Sequence, residues 1–465
     1  MKRKSNRSYL KRSRKTAVRY RLSPTQIIFL GFLLLILAGG LLLMLPISSQ
    51  DGTFTSPIDA MFTAVSSTCV TGLVTVDTAT HWNTFGHIVI ITLIQIGGLG
   101  FMTMAITMSI FIKRRITPRE QLLAAQSLGL SGVGGTVSLV RRIVIGTLAV
   151  EGIGAVILSS QFIPIFGWAD GIFMGIFHSI SAFCNAGFDL LGGYGGTFCS
   201  FMPFDHNYII GTTLMLLIII GGIGFIVWDD IVNFVKSRKK LSVYSKFILT
   251  ISVCLIIFGA ALIAVFEWNN PATLANESGT HKLFAALFQS VSTRTAGIDM
   301  IGNANLTGSS KLVSMLLMFI GGASGSTAGG IKVGTFGIII CAMLAFSKGT
   351  DELVISKRRV PHETVIRALT VVGMDLIGAF AVTLIIAATN DIGIMESMYD
   401  AISGIATVGL TLGITPTLGT AAKISLMVLM FFGRVGVLTI TYSIMLKSAR
   451  KNSCIRYPDI DMMIG

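Results

Sequence analysis

The sequence predicts an all-α membrane protein built from four pseudo-repeats of a helix, a re-entrant pore loop and a second helix, with eight transmembrane helices around a central pore. The 465-residue chain is 52% hydrophobic and only 12% charged, which is too apolar for a soluble multidomain protein. Four short segments also share one pattern. Each begins with a serine and ends with a glycine five or six positions later, and an aromatic residue lies four positions before the serine. These segments are 66–72, 181–187, 292–297 and 403–409, with glycine-to-glycine spacings of 115, 110 and 112 residues.

Each copy contains a long apolar stretch, a shorter one that ends at the glycine, a polar segment and a second long stretch. A bilayer core of about 30 Å needs about 20 helical residues, so the long stretches are predicted spans and the short ones re-entrant half-helices. Ser56 followed by Pro57 is a typical helix start. The predicted spans are 27–45, 87–112, 143–163, 209–228, 247–266, 311–346, 365–388 and 424–446. The predicted pore repeats are 22–116, 133–241, 242–350 and 361–450.

The distribution of charge predicts the orientation of these spans. Basic residues cluster in the segment 1–21 and in loops that an even number of spans places on the same side, which is the cytoplasm by the positive-inside rule. Both termini are therefore predicted to be cytoplasmic, and the net charge of +14 does not indicate nucleic acid. The basic tail 1–21 either contacts anionic membrane lipid or a soluble partner, or only fixes the topology.

The four glycines predict a selectivity filter. Non-helical backbone at membrane depth is tolerated where it lines a wet cavity, and its carbonyl oxygens can replace the water shell of a cation. Glycine allows the positive φ that such a turn needs. The alternative is that these glycines only ease helix packing. The candidate filter residues are Val70, Thr71, Gly72, Asn185, Ala186, Gly187, Thr295, Ala296, Gly297, Thr407, Val408 and Gly409.

The motifs SAFCNAGFDLL, SVSTRTAGID and SGIATVGLTLG resemble the filter loops of the membrane subunit of Ktr-type potassium transporters, in the Trk/Ktr/HKT superfamily. The similarity runs from the first span to the C-terminus. Because all four positions are glycine, the resemblance implies potassium at the filter carbonyls. The resemblance also implies a homodimer in the cell membrane that docks on a cytosolic RCK-type ring, and this ring binds ATP or ADP. It implies no covalently bound cofactor. Residues 451–465 resemble the dimer contact of the family; a frayed tail is the alternative.

The second span of the third copy is predicted to be broken. Its segment 321–333 holds five glycines, each unfavourable in a helix by about 1 kcal/mol relative to alanine. The resemblance implies that this loop gates the pore together with an arginine of the last span, which matches Arg434. Alternatively, Arg434 bonds helix-end carbonyls and holds copies three and four together. The candidate gate residues are Gly321, Gly322, Gly325, Ser326, Thr327, Gly329, Gly330, Lys332 and Arg434.

Two other functional classes compete with a channel-like pore. A secondary transporter would couple sodium or protons to uptake through Glu151 or Asp375, which the topology places within the membrane. We interpret these two residues, and Arg294, as packing ion pairs or hydrogen-bond anchors. A membrane enzyme has little support, since no cluster of His, Cys or carboxylate residues has catalytic spacing.

Overall fold

The computed structural model describes residues 24–112, 116–127, 134–237, 240–350 and 352–436. The predicted basic tail 1–21, the C-terminal segment 451–465 and the end of the fourth repeat, 437–450, lie outside the described residues. Within those residues the chain is predominantly helical, and the predicted fold class is confirmed.

Each copy begins with a long helix and continues with a shorter pore helix. Within the described residues, the four helices that are each long and apolar enough to cross a bilayer are the four first spans. They are α1 (Pro24–Met44), α7 (Thr136–Phe166), α12 (Val243–Glu267) and α16 (His362–Thr389). The pore helices are α2 (Pro57–Cys69), α8 (Trp168–Cys184), α13 (Gly279–Ser292) and α17 (Ile394–Ala406). Pro57 occupies the first turn of α2 as predicted, whereas the Ser56 side chain makes no capping hydrogen bond.

The second span of each copy is shorter or broken. The second spans of copies one to three are α4 (Thr84–Leu99) with α5 (Phe101–Phe111), α10 (Tyr208–Gly222) with α11 (Phe225–Ser237), and α14 (Gly308–Phe319) with α15 (Val333–Ser347). In copy four, α18 (Thr420–Val435) ends at Gly436. The prediction of continuous second spans in copies one and two is wrong, because Gly100 and Gly224 adopt positive φ and the axes of α10 and α11 differ by 99°.

The copies interlock in a closed cycle. The second span of each copy packs on the pore helix of the next: α4 on α8, α10 on α13, and α14 on α17. The last copy returns to the first, because α18 packs on α2. One axis therefore lies at the centre of four equivalent pairs of helices, which is the arrangement that four repeats on one chain predict.

Short elements connect the copies and their parts. They are α3 (Thr78–His81), α6 (Pro118–Ser127), α9 (Gly192–Gly195) and a two-stranded antiparallel hairpin of β1 (Val354–Ile355) and β2 (Arg358–Arg359). The aromatic residue of each repeat motif is buried in the core and contributes to packing around the pore helices. These residues are Phe62, Phe177, Phe288 and Tyr399.

Candidate functional site

The backbone makes the same turn after each pore helix. Two residues before each motif glycine, the chain adopts a left-handed conformation with φ between 50° and 72°. The residues concerned are Val70, Asn185, Thr295 and Thr407. Three of the four are β-branched, and such residues at positive φ cost about 1–3 kcal/mol each, so surrounding contacts must hold them in place. The motif glycines follow with φ of 92°, 70°, 74° and 100°.

The four motif glycines form a closed ring, the glycine ring, in which each lies against the backbone of the next copy. A Cβ atom added to Gly72 would lie 2.5 Å from the Ala186 carbonyl oxygen and 3.1 Å from the Cα of Gly187. A Cβ on Gly187 would lie 2.9 Å from the Ala296 carbonyl oxygen. The equivalent contacts join Gly297 to the Val408 carbonyl and Gly409 to the Thr71 carbonyl. The ring therefore brings together backbone from all four predicted filter segments, with no room for a side chain at the glycines.

The serine of each motif fixes the turn that precedes the ring. In copies one and four, the hydroxyls of Ser66 and Ser403 accept the N–H of the motif glycine at 3.1 and 3.0 Å. In copies two and three, the hydroxyls of Ser181 and Ser292 donate to the carbonyl of the residue after the glycine, at 2.7 and 2.5 Å. The serine is thus part of the pattern because it stabilises the loop, while the oxygen atoms at the ring belong to the backbone.

A cavity of about 220 Å³, the vestibule, opens onto the glycine ring and is lined by all four ring glycines. Three carboxylates, Asp77, Asp189 and Asp299, line it as well. Asp299 accepts three backbone N–H groups, which hold it in place. Burial raises the pKa of Asp189 to about 6; the N–H of Leu191 opposes this rise and the Asp77 charge adds to it. Grouped carboxylates in a cleft favour the entry of cations.

The glycine-rich segment 320–332, the intramembrane loop, packs against the ends of the pore helices. Thr327 Oγ1 donates to the Phe183 carbonyl at 3.1 Å. A Cβ on Gly321 would lie 3.2 Å from Thr295 Cγ2, and one on Gly329 would collide with the Thr407 side chain. The loop therefore reaches the pore-helix ends of copies two, three and four.

Two basic side chains hold the base of the loop. Lys332 Nζ donates to the carbonyl of Ala328 at 2.7 Å, within the loop itself. Arg294 donates to the carbonyls of Ser252 at 3.2 Å and Gly321 at 3.4 Å. Arg294 thus joins the third pore helix to the start of the loop, and the interpretation of Arg294 as an anchor agrees with these contacts.

Arg434 connects three parts of the molecule. Its guanidinium donates to the Thr327 carbonyl in the intramembrane loop and to the Gly97 carbonyl, and it donates to the Gly98 carbonyl at 3.0 Å. Gly97 and Gly98 lie at the C-terminal end of α4, where carbonyls lack helical partners and favour a positive charge. Arg434 therefore bonds both the loop of copy three and the end of a helix in copy one. The alternative that it links only copies three and four is incomplete, because the helix-end carbonyls that it bonds belong to copy one.

A second glycine motif was missed in the sequence. Gly-Gly-x-Gly ends α4 and α10, begins the intramembrane loop with one inserted residue, and ends α18 as Gly-Arg-Val-Gly. It starts 25, 34, 24 and 24 residues after the ring glycine, and Arg434 takes the place of its second glycine. The first glycine lies against the carbonyl four residues before the ring glycine in three copies: Gly97 on Thr68, Gly221 on Phe183 and Gly433 on Ile405. The motif allows the second spans to approach the pore helices.

Glu151 and Asp375, the buried acids that a coupled transporter would use, lie beside the pore helices and the intramembrane loop. Glu151 accepts a hydrogen bond from Gln95 Nε2 at 3.2 Å and lies 3.9 Å from the Cys184 sulfur, so it joins copies one and two. Asp375 is 7% exposed and interacts electrostatically with Lys332 of the loop. The anchor interpretation of both residues agrees with these surroundings.

The model of the TrkH family of cation transport proteins matches residues 5–453. The chain is 40% identical over 455 residues to the potassium/sodium uptake protein NtpJ of Enterococcus hirae, which covers 97% of this chain and 99% of that protein. It is 38% identical to the Ktr system potassium uptake protein B of Bacillus subtilis, over 96% of this chain and 97% of that one. The crystal structure of the potassium transporter TrkH from Vibrio parahaemolyticus has the same fold, with a TM-score of 0.73 at 18% identity over 94% of this chain and 87% of that one. The chain is a multi-pass membrane protein that belongs to the TrkH family of cation transport proteins.

Proposed function

We propose that this protein conducts potassium into the cell through the glycine ring, which acts as a carbonyl selectivity filter. The observation that carries the proposal is the cyclic contact of the four glycines, each against a backbone carbonyl of the next copy. Such carbonyls replace the hydration shell of a potassium ion. One relative is a potassium/sodium uptake protein and another a potassium uptake protein, which supports potassium as the cation.

The electrostatics of the site favour a cation at this place. The four pore helices direct their C-terminal ends, which carry partial negative charge, towards the ring. The carboxylates of the vestibule add a negative field at its mouth. Potassium sits at the filter carbonyls in this proposal as the transported ion.

The intramembrane loop is the proposed gate. It contacts the pore-helix ends of three copies and is held by Arg434 through Thr327. Release of this hydrogen bond would allow the loop to leave the axis. The loop also contacts the second span of copy two where that span breaks between α10 and α11, since the Ala323 N–H donates to the Gly222 carbonyl at 2.9 Å. Movement of the loop is therefore coupled to the second spans.

The gate is proposed to be controlled by a separate cytosolic ring of RCK type that binds ATP or ADP. The ring docks on a homodimer of this chain in the cell membrane, and both termini of the chain lie in the cytoplasm. The described residues form membrane helices and short connections, with no nucleotide-binding domain among them. Basic residues in the segments between the copies support the cytoplasmic position of the termini.

A coupled transporter is the second candidate, and Glu151 is the observation that favours it. Glu151 is 5% exposed, and its carboxylate lies beside Cys184 of the second pore helix, a place for the exchange of a proton or sodium ion. Potassium flux that follows a proton or sodium gradient would favour this candidate over the channel-like pore.

The experiment that tests the filter compares potassium and sodium flux in liposomes containing the native protein, Gly72→Ser or Gly52→Ser. Gly52 is the matched control because it also has positive φ, at 65°, but a Cβ there would have no atom within 4 Å. We expect potassium-selective flux in the native protein and Gly52→Ser, and relaxed selectivity towards sodium in Gly72→Ser. Equal cation selectivity in all three would remove the glycine ring from the mechanism.

A further inference from the structure

Two histidines and a carboxylate meet on the surface where copies two and three join. Asp205 and His206 follow a 3₁₀ turn just before α10, whereas His281 lies in the first turn of α13. One ligand atom from each of the three residues lies within 4.8 Å of the other two. Residues far apart in the sequence thus present the donor types that Zn²⁺ prefers.

The geometry of this cluster suits a small ion. The Asp205 carboxylate lies 3.8 Å from Nε2 of His206 and 3.8 Å from Nε2 of His281. Donors around a tetrahedral zinc ion lie about 3.4 Å apart, given bonds of about 2.0–2.1 Å. The three donor atoms, at most 4.8 Å apart, would therefore need to approach one another by less than about 1.5 Å to bind zinc. The Glu277 carboxylate, 3.6 Å from His206 Nε2, provides a fourth donor or orients a water ligand.

The buried member of the cluster, His281, presents one imidazole nitrogen to the Asp205 carboxylate. The His281 side chain is only 4% exposed, yet its Nδ1 makes no hydrogen bond within the described part of the chain. Its Nε2 faces Asp205 at a distance beyond hydrogen bonding, and its ring stacks on His206 with centroids 4.3 Å apart. Buried polar groups are normally satisfied, and His281 Nε2 faces the Asp205 carboxylate at 3.8 Å without a hydrogen bond to it. A metal ion bonds one nitrogen of each imidazole, and the Nε2 atoms of His206 and His281 both face the same Asp205 oxygen, as a shared ion requires.

The charges around the cluster are compatible with a dication. Asp205 and Glu277 provide two negative charges, and Asp205 also accepts the backbone N–H of His206 through its other oxygen, at 2.7 Å. Lys282, adjacent to His281 in the chain, is turned away, because its Nζ donates to the carbonyls of Trp268 and Ala275. The positive side chain nearest in sequence therefore does not compete with a metal ion.

We propose that Asp205, His206 and His281 bind a divalent transition-metal ion of the Zn²⁺ class and so clamp the second span of copy two to the pore helix of copy three. The site is distinct from the glycine ring, where only hard oxygen ligands converge. The bound ion stabilises the packing of α10 on α13. It thereby stiffens the pore helix α13, which ends at Ser292, three residues before Thr295.

The test is calorimetric titration of ZnCl₂ into the purified full-length protein in detergent, after removal of any affinity tag, together with thermal unfolding. We expect one saturable site per chain and a higher unfolding temperature with Zn²⁺, whereas Mg²⁺ gives neither effect. His206→Ala should weaken zinc binding roughly tenfold or more, because loss of supporting groups alone costs 10–100-fold. His362→Ala, at an exposed histidine outside the cluster, is the matched control and should leave it unchanged.

The design remains decisive if His281→Ala, at a buried position, fails to fold, because His206 is 63% exposed and its replacement leaves the core intact. Zinc binding of equal affinity in the native protein and in His206→Ala, or weakening by His362→Ala to the same degree, would overturn the proposal. So would the absence of saturable binding to the native protein. None of these outcomes depends on potassium flux, so the site can be tested whether or not the proposed function holds.

Discussion

Replacing Arg434 by alanine tests the proposal that one side chain holds the intramembrane loop under the glycine ring. Of its hydrogen bonds, only that to the Thr327 carbonyl reaches the loop; those to Gly97 and Gly98 stay with α4. A hydrogen bond to a charged group contributes about 1.5–3 kcal/mol net. At about 1.4 kcal/mol per factor of ten, its loss shifts the equilibrium between held and released loop about ten- to a hundredfold.

The assay is uptake of radioactive rubidium into proteoliposomes that contain only this chain. We expect uptake by Arg434→Ala to exceed that of the native protein by about ten- to a hundredfold, if the released loop is rare in the native protein. Arg434→Lys should give an intermediate rate, because a single ammonium retains the charge but not the planar fork that bridges three carbonyls. Arg367→Ala, at an exposed arginine that pairs with Glu363 four residues earlier, is the control and should leave uptake unchanged.

Stability must be measured on the same samples. Removal of the guanidinium leaves helix-end carbonyls without a donor, at a cost of about 1–3 kcal/mol, which lowers the unfolding temperature. A folded Arg434→Ala protein with native uptake would refute the reasoning, because the loop would then not be held by this bond. Lower uptake in a folded protein would refute it as well.

Two further predictions concern the packing of the second spans and the buried acid. Gly221→Ala should lower the free energy of unfolding by about 1–3 kcal/mol, because its Cβ would collide with the Phe183 carbonyl; Gly222→Ala, with its nearest atom at 3.7 Å, should have a much smaller effect. Equal melting temperatures for the two variants would contradict the steric role of the second glycine motif. Glu151→Gln should retain potassium flux that is independent of a proton gradient, because an amide can still bond Gln95. Abolished flux in a folded Glu151→Gln protein would instead favour the coupled transporter.

The sequence was sufficient for the repeats, the first spans and the places where the pore helices end. It predicted these features because the motif glycines mark positions where the backbone needs positive φ, and because a 20-residue apolar run has one common structure in a bilayer. The predicted start of α2 at Pro57 and the broken span in copy three agree with the structure for the same local reasons.

The breaks at Gly100 and Gly224 could not be predicted from length and hydropathy, because apolar residues continue on both sides of each glycine. Their cause is tertiary: the preceding glycines lie against pore-helix carbonyls of Thr68 and Phe183. The recurrence of Gly-Gly-x-Gly in copies one and two, with variants of it in copies three and four, was a signal that comparison of the repeats would have revealed. The hydrogen-bond partners of Arg434 could not be predicted without the break after α4, since the carbonyls of Gly97 and Gly98 are available as acceptors only because α4 ends there.

The most direct test of the central claim is anomalous diffraction from crystals of this protein grown in rubidium in place of potassium. The account predicts a rubidium peak on the axis of the glycine ring, within coordination distance of the carbonyl oxygens of Thr71, Ala186, Ala296 and Val408. Rubidium found only elsewhere, with the ring free of anomalous density, would contradict the claim that these four backbone segments form the potassium filter.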